Sequence, residues 1–255
     1  MRSYALVALL ALVGCGTEHS ITPQQDAGPL DETPPTVAAD FVRHEVVQAT
    51  RTIAVTAADD VGVVRVALEV DGAAVAEATE APFAIAWDST AIADGLHDVR
   101  VAAFDEAGNR GETEVTPLIV VNTGVLPEYT DAPATNGWVE PTFRVPAGWA
   151  GNTEQIDKKY HWDMPAGMTH VLAIMRWPDP TAGWNMIFSI GSGFCPDSGT
   201  PLAELTENDG EIVLDYTTAP DALPTGQWFF HTGAANAADM VGQSTPYSVL
   251  VVYFP

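Results

Sequence analysis

VVRVALEVDG, residues 63–72, is the stretch that decides the fold class. Val64, Val66, Leu68 and Val70 alternate with Arg65, Ala67 and Glu69. Successive side chains of a strand point to opposite faces, so a period of two describes a strand with one face buried. Asp71-Gly72 follows at once. Such a pair between alternating segments predicts a tight hairpin, because its residues tolerate the positive φ that the turn requires.

Working outward, the same reading predicts strands at TIAVTA (52–57), FAIAW (83–87), HDVRVAAF (97–104) and EVTPLIVV (114–121), with DDVG, DSTAIADG and DEAGNRG between them. Short strands separated by Gly, Asp and Asn clusters predict a β-sandwich. DDVGVVRVALEVDG, APFAIAWDST, DGLHDVRVAAFDEAGN and the closing strand resemble bacterial Ig-like modules across nearly all of residues 35–122, within a domain expected at 34–122. The resemblance implies a spacer or presentation module without catalytic residues. Asp59, Asp60, Asp105 and Glu106 fall in its turns. They read as solvated turn carboxylates or, alternatively, as oxygen ligands for Ca²⁺.

Residues 125–255 differ chemically. Of seven tryptophans, only Trp87 precedes this segment. Strands are predicted at THVLAIMRW (169–177), WNMIFSI (184–190), EIVLDY (211–216), QWFFHT (227–232) and YSVLVVYF (247–254), and no 3.6-residue period demands a helix. The chain is therefore expected to be all-β, with an Ig-like sandwich followed by a Trp-rich one. The order of the distal strands, with the PTGQWFF turn and the terminal PYSVLVVYF, is similar to the jelly-roll-like domains appended to exported bacterial peptidases. That resemblance implies a binding or folding module.

Trp138, Trp149, Trp162, Trp177 and Trp184 stand in NGW, AGW, HWDMP, RWPDP and AGWN, beside turn residues. Two readings follow: they close the ends of the sandwich as core, or they offer flat faces to a glycan. His161, His170 and His231 share this segment with Met164, Met168 and Cys195, but PDSGTPLAE after Cys195 lacks the His and Met of a copper loop, so no metal site is expected. Cys195 itself reads as a buried thiol, an intermolecular disulfide or a metal thiolate. Gly191-Ser192-Gly193 lacks the spacing of a nucleophile elbow and HExxH does not occur; no enzyme and no cofactor are expected.

The chain opens with Met1-Arg2, an apolar run, and the break Gly14-Cys15-Gly16. This is the pattern of an export signal, and the run is too short for a membrane-spanning helix of roughly 20 residues. LVGC (12–15) resembles the lipobox of bacterial lipoproteins, which implies cleavage after residue 14 and acylation of Cys15. Residues 15–33, polar and rich in proline, read as a flexible tether. By the same resemblance Gly16 favours the outer membrane, with the lipid bilayer as one partner. The formal net charge of −24 repels phosphate backbones and excludes nucleic acid. A glycan or an envelope protein remains compatible as partner, the second making the chain a structural or assembly component. Intact mass after fatty-acid labelling is expected to show residues 1–14 removed and acyl chains on the new amino terminus. A Cys15→Ser chain is expected to carry none.

Overall fold

The computed structural model describes residues 31–130, 134–135, 137–148, 150–151, 158–193 and 201–255. Cys15, Trp149 and Cys195 lie outside them. The chain is all-β, as expected, and among the described residues no helix is long and apolar enough to cross a membrane.

The first lobe contains β1 (Thr36–Ala39), β2 (Val46–Val47), β3 (Thr50–Ala58), β4 (Val63–Val70), β5 (Ala73–Ala78), β6 (Ala84–Asp88), β7 (Gly95–Asp105), β8 (Arg110–Glu112) and β9 (Thr116–Val120). One sheet has the order β1-β3-β6 and the other β2-β9-β7-β4-β5, with β8 beside β7. Ile53, Val66, Leu68, Ile85, Trp87, Val99 and Val101 fill the space between them. Asp71 and Gly72 both take positive φ, 50° and 80°, which closes the predicted β4–β5 hairpin.

The alternation in VVRVALEV breaks at one point. Val63, not Val64, packs on the core, and Val64 is 40% exposed. The register against β7 shifts between Val63 and Arg65, so the extra residue of a β-bulge reverses the facing of every side chain before it.

The second lobe contains β10 (Trp138–Val139), β11 (Thr142–Arg144), β12 (Lys158–Met164), β13 (His170–Arg176), β14 (Met186–Ser192), β15 (Ala203–Glu207), β16 (Glu211–Thr217), β17 (Gly226–Ala234), β18 (Ser244–Pro246) and β19 (Ser248–Phe254). Its two four-stranded sheets run β10-β19-β13-β16 and β12-β17-β14-β15, and β11 and β18 form a short ribbon.

Strand parity explains the apolar content of β13 and β19. Val171, Ala173 and Met175, with Val249, Val251 and Tyr253, face the core of this lobe. Their neighbours Leu172, Ile174, Leu250, Val252 and Phe254 face the other way and pack on Ile119 and Val121 of the first lobe. Both faces of these strands are therefore buried, which is why they read as continuous apolar runs rather than alternating ones.

The connection is shaped to the same seam. The Asp94 carboxylate accepts hydrogen bonds from the amides of Thr123 (2.9 Å) and Gly124 (3.1 Å). A Cβ at Gly124 would stand 2.5 Å from the Phe254 ring. At Gly137 (φ +80°) it would stand 2.9 Å from Leu250, so both glycines permit close approach. Leu250→Ala is expected to cost about 2–5 kcal/mol in urea unfolding. Calorimetry of this variant should separate one unfolding transition into two.

Candidate binding site

Trp138 projects from β10 opposite Leu250 and is half-buried at the edge of the seam. Arg176 ends β13, and its guanidinium lies 4.1 Å from the centroid of the Trp138 ring. A cation so placed is attracted by the negative face of the indole. Arg176 Nη1 also donates to the Arg43 carbonyl of the first lobe at 3.3 Å. The pair is thus held from both sides.

A clamp surrounds it. Arg43 donates from Nη2 to Glu211 Oε1 at 2.6 Å and from Nε to Oε2 at 3.1 Å, a two-pronged contact between the lobes. His44, 1% exposed and at φ 58°, brings Nδ1 to 3.2 Å from Glu211 Oε2 without hydrogen-bonding alignment.

Arg176 stands between two clefts. One, of about 490 Å³, is walled by Pro141, Pro178 and Pro246 and carries Glu140, Thr142 and Ser248. The other, of about 400 Å³, lies over the seam between Val46, Gln48, Leu126 and Trp138. Rigid apolar walls with a few polar groups at the rim suit a ligand that has both a flat apolar face and hydroxyls.

Of the described tryptophans proposed as ligand-binding, Trp138 is the one half-exposed at a cleft; Trp149 lies outside the described residues. Trp162, Trp177 and Trp184 are 1%, 3% and 1% exposed, and all three belong to the core of the second lobe. Their burial corrects the reading of these residues as ligand platforms. Each continues the inward parity of its strand: Tyr160, Trp162 and Met164; Val171, Ala173, Met175 and Trp177; Trp184, Met186, Phe188 and Ile190. Trp177 still contributes an edge to the larger cleft.

The histidines do not converge with other ligands into a metal-binding group among the described residues. His170 pairs instead with Asp215 at 2.6 Å. Ser189 Oγ lies 3.3 Å from His231 Nδ1, but Ser189 is buried, so no substrate reaches the hydroxyl there. Arg43, Gln48, Arg176 and Glu211 escaped the sequence reading. Their positions in a turn (Arg43) and at strand ends (Gln48, Arg176, Glu211) carried no periodic signal, although Arg176 sits in the RWPDP already quoted for its tryptophan.

Residues 42–101 match the family model described as a bacterial Ig domain. They run from the turn before β2 through most of β7. Among curated proteins none matches the chain. Among solved structures, the chain is similar to the fibronectin(III)-like modules of Clostridium thermocellum CbhA, with 25% identity and a TM-score of 0.31, covering 33% of this chain and 94% of that one. It is similar to SGBP-B of the Bacteroides ovatus mixed-linkage glucan utilization locus, solved with a mixed-linkage heptasaccharide, with 15% identity and a TM-score of 0.27, covering 82% and 49%. A third is the CBM51-2 and INT domains of Clostridium perfringens ZmpB, solved with GlcNAc, with 10% identity and a TM-score of 0.29, covering 86% and 48%. The chain spans about half the length of each of the last two.

Burial pushes the His44 pKa down; Glu211 opposes this, and the nearby Arg43 and Arg176 reinforce it. The unfolded chain takes up a proton as pH falls through about 6.5, whereas folded His44 stays neutral to lower pH. Its contribution is therefore fully present above that value and lost as pH falls below it. Tm is expected to drop between pH 7.5 and 5.5. His44→Asn, which keeps a residue tolerant of positive φ, should flatten that part of the profile.

Proposed function

We propose that the chain is a non-catalytic surface module, held on the bacterial envelope by acylated Cys15, which binds a neutral glycan in the clefts that flank Arg176. The observation that carries the glycan reading is the immobilised Arg176–Trp138 pair between two clefts. Stacking and the bond to the Arg43 carbonyl hold a multi-donor guanidinium in place before ligand arrives, which reduces the ordering cost of binding. Its donors, with the Glu140 carboxylate and the Thr142 and Ser248 hydroxyls, match the rim of a sugar ring. The proline walls match its apolar face.

Charge narrows the ligand. With a net charge of −24, the surface repels acidic polymers, so a neutral polysaccharide fits better than a uronic-acid or phosphate-bearing one. The tether of residues 15–33 would lift the module clear of lipid headgroups.

Affinity electrophoresis of the chain from residue 15 onward against neutral polysaccharides tests the site. Thr142→Arg fills the larger cleft from an exposed position away from the seam. It is expected to weaken retardation tenfold or more while leaving Tm within about 2 °C, since surface changes usually stay within about 0.5 kcal/mol. Unchanged retardation in that variant would remove the cleft as the binding site.

A further inference from the structure

Asp31, Asp59 and Asp105 come from three separate places: the root of the tether, the turn after β3, and the end of β7. Each offers a carboxylate oxygen, and the three oxygens lie within 4.8 Å of one another. Asp60 and Glu106, their chain neighbours, are exposed and take no part in this group.

The hydrogen bonds divide the carboxylates unequally. Asp59 Oδ2 accepts from the amides of Val61 (2.9 Å) and Gly62 (3.0 Å), while its Oδ1 is buried without a donor. Asp31 Oδ1 accepts from the Thr33 amide at 2.9 Å, while its Oδ2 is likewise buried without a donor. Asp105, 3% exposed, receives the Asn109 amide at 2.8 Å and the Asn109 side-chain Nδ2 at 2.7 Å. Asn109 Nδ2 also reaches the Asp31 carbonyl at 3.0 Å and so holds the two strands of chain together.

Among the described residues no Arg, Lys or His forms an ion pair with any of the three, although Arg51, Arg100 and Arg110 each pair with other acids on the same lobe. Asp31 and Asp59 are part-buried, yet each keeps one shielded oxygen without a donor in the same group as the buried Asp105 carboxylate, and a cation joining the three would satisfy them. We propose that these three aspartates bind one Ca²⁺. Ca²⁺ takes six to eight oxygens at about 2.3–2.6 Å, so ligand oxygens up to roughly 5 Å apart can lie on one ion. Zn²⁺ sites usually include nitrogen or sulfur ligands, which this all-carboxylate group lacks, and Mg²⁺ needs a tighter octahedron. Water completes the shell.

The consequence is mechanical. The ion fastens Asp31 to the core strands of the Ig-like lobe. This inference does not depend on the glycan reading.

The chain from residue 15 onward, stripped with a chelator, tests it by equilibrium dialysis against ⁴⁵Ca²⁺ and by thermal melting with CaCl₂ or MgCl₂ at matched ionic strength. One ion per chain is expected, with a dissociation constant of about 10⁻⁴–10⁻³ M as for extracellular modules. Tm should rise with Ca²⁺ and much less with Mg²⁺. Asp31→Asn lies outside the core strands and should fold; in it the saturable binding and the Tm rise should disappear, and Asp59→Asn should weaken both tenfold or more. Three results would overturn the proposal: no saturable Ca²⁺ binding up to 10 mM, binding retained in Asp31→Asn, or a Tm that ignores Ca²⁺ but climbs as pH falls toward 5. The last would mean that the carboxylates share a proton instead of an ion.

Discussion

The burial of both faces of β13 and β19 is the constraint on which the rest of this structure depends. A strand in a sandwich ordinarily keeps one face wet, and its sequence then alternates. Here Leu172, Ile174, Leu250, Val252 and Phe254 turn away from their own core and meet Ile119 and Val121 from the first lobe. Closing that surface removes apolar area that would otherwise lie open to water, at roughly 25 cal/mol per Å². The two sandwiches are thereby joined through a third apolar layer rather than through the linker alone.

The polar features of the seam follow from this contact. Arg43 and Glu211 can form their two-pronged pair only because β16 lies beside the turn that precedes β2. Arg176 is fixed over Trp138 because both stand where the seam opens to solvent, and the flanking clefts take their shape from the same junction. His44 is the weak point of the clamp. Its imidazole is buried, and it lies beside two guanidinium groups, so a third positive charge there is disfavoured in spite of Glu211.

Much of the secondary structure was legible from side-chain parity. TIAVTA, VVRVALEV, HDVRVAAF, THVLAIMRW and YSVLVVYF all contain strands near their expected positions. β12 was missed although Tyr160, Trp162 and Met164 alternate with His161 and Asp163. The flanking Pro and Gly residues drew the reading toward a turn. The same kind of neighbours left the tryptophans open between a core and a ligand-facing reading. Neighbouring Gly and Pro suggested loops, yet Trp162, Trp177 and Trp184 keep the parity of the strands they extend, and parity sends them into the core. The bulge at Val64 could not be seen, because an extra residue in one strand is defined only against its partner.

The sequence by itself determined the all-β class, the Asp71-Gly72 hairpin, the acidic character and the apolar runs that became β13 and β19. These properties reside in neighbouring residues, whose spacing and φ preferences act locally. Tertiary structure alone decided that the second face of those runs is covered by the first lobe, that Arg176 meets Trp138, and that Asp31, Asp59 and Asp105 converge. Each of these joins residues from separate strands or turns, and such contacts depend on register and sheet packing, which no local pattern encodes.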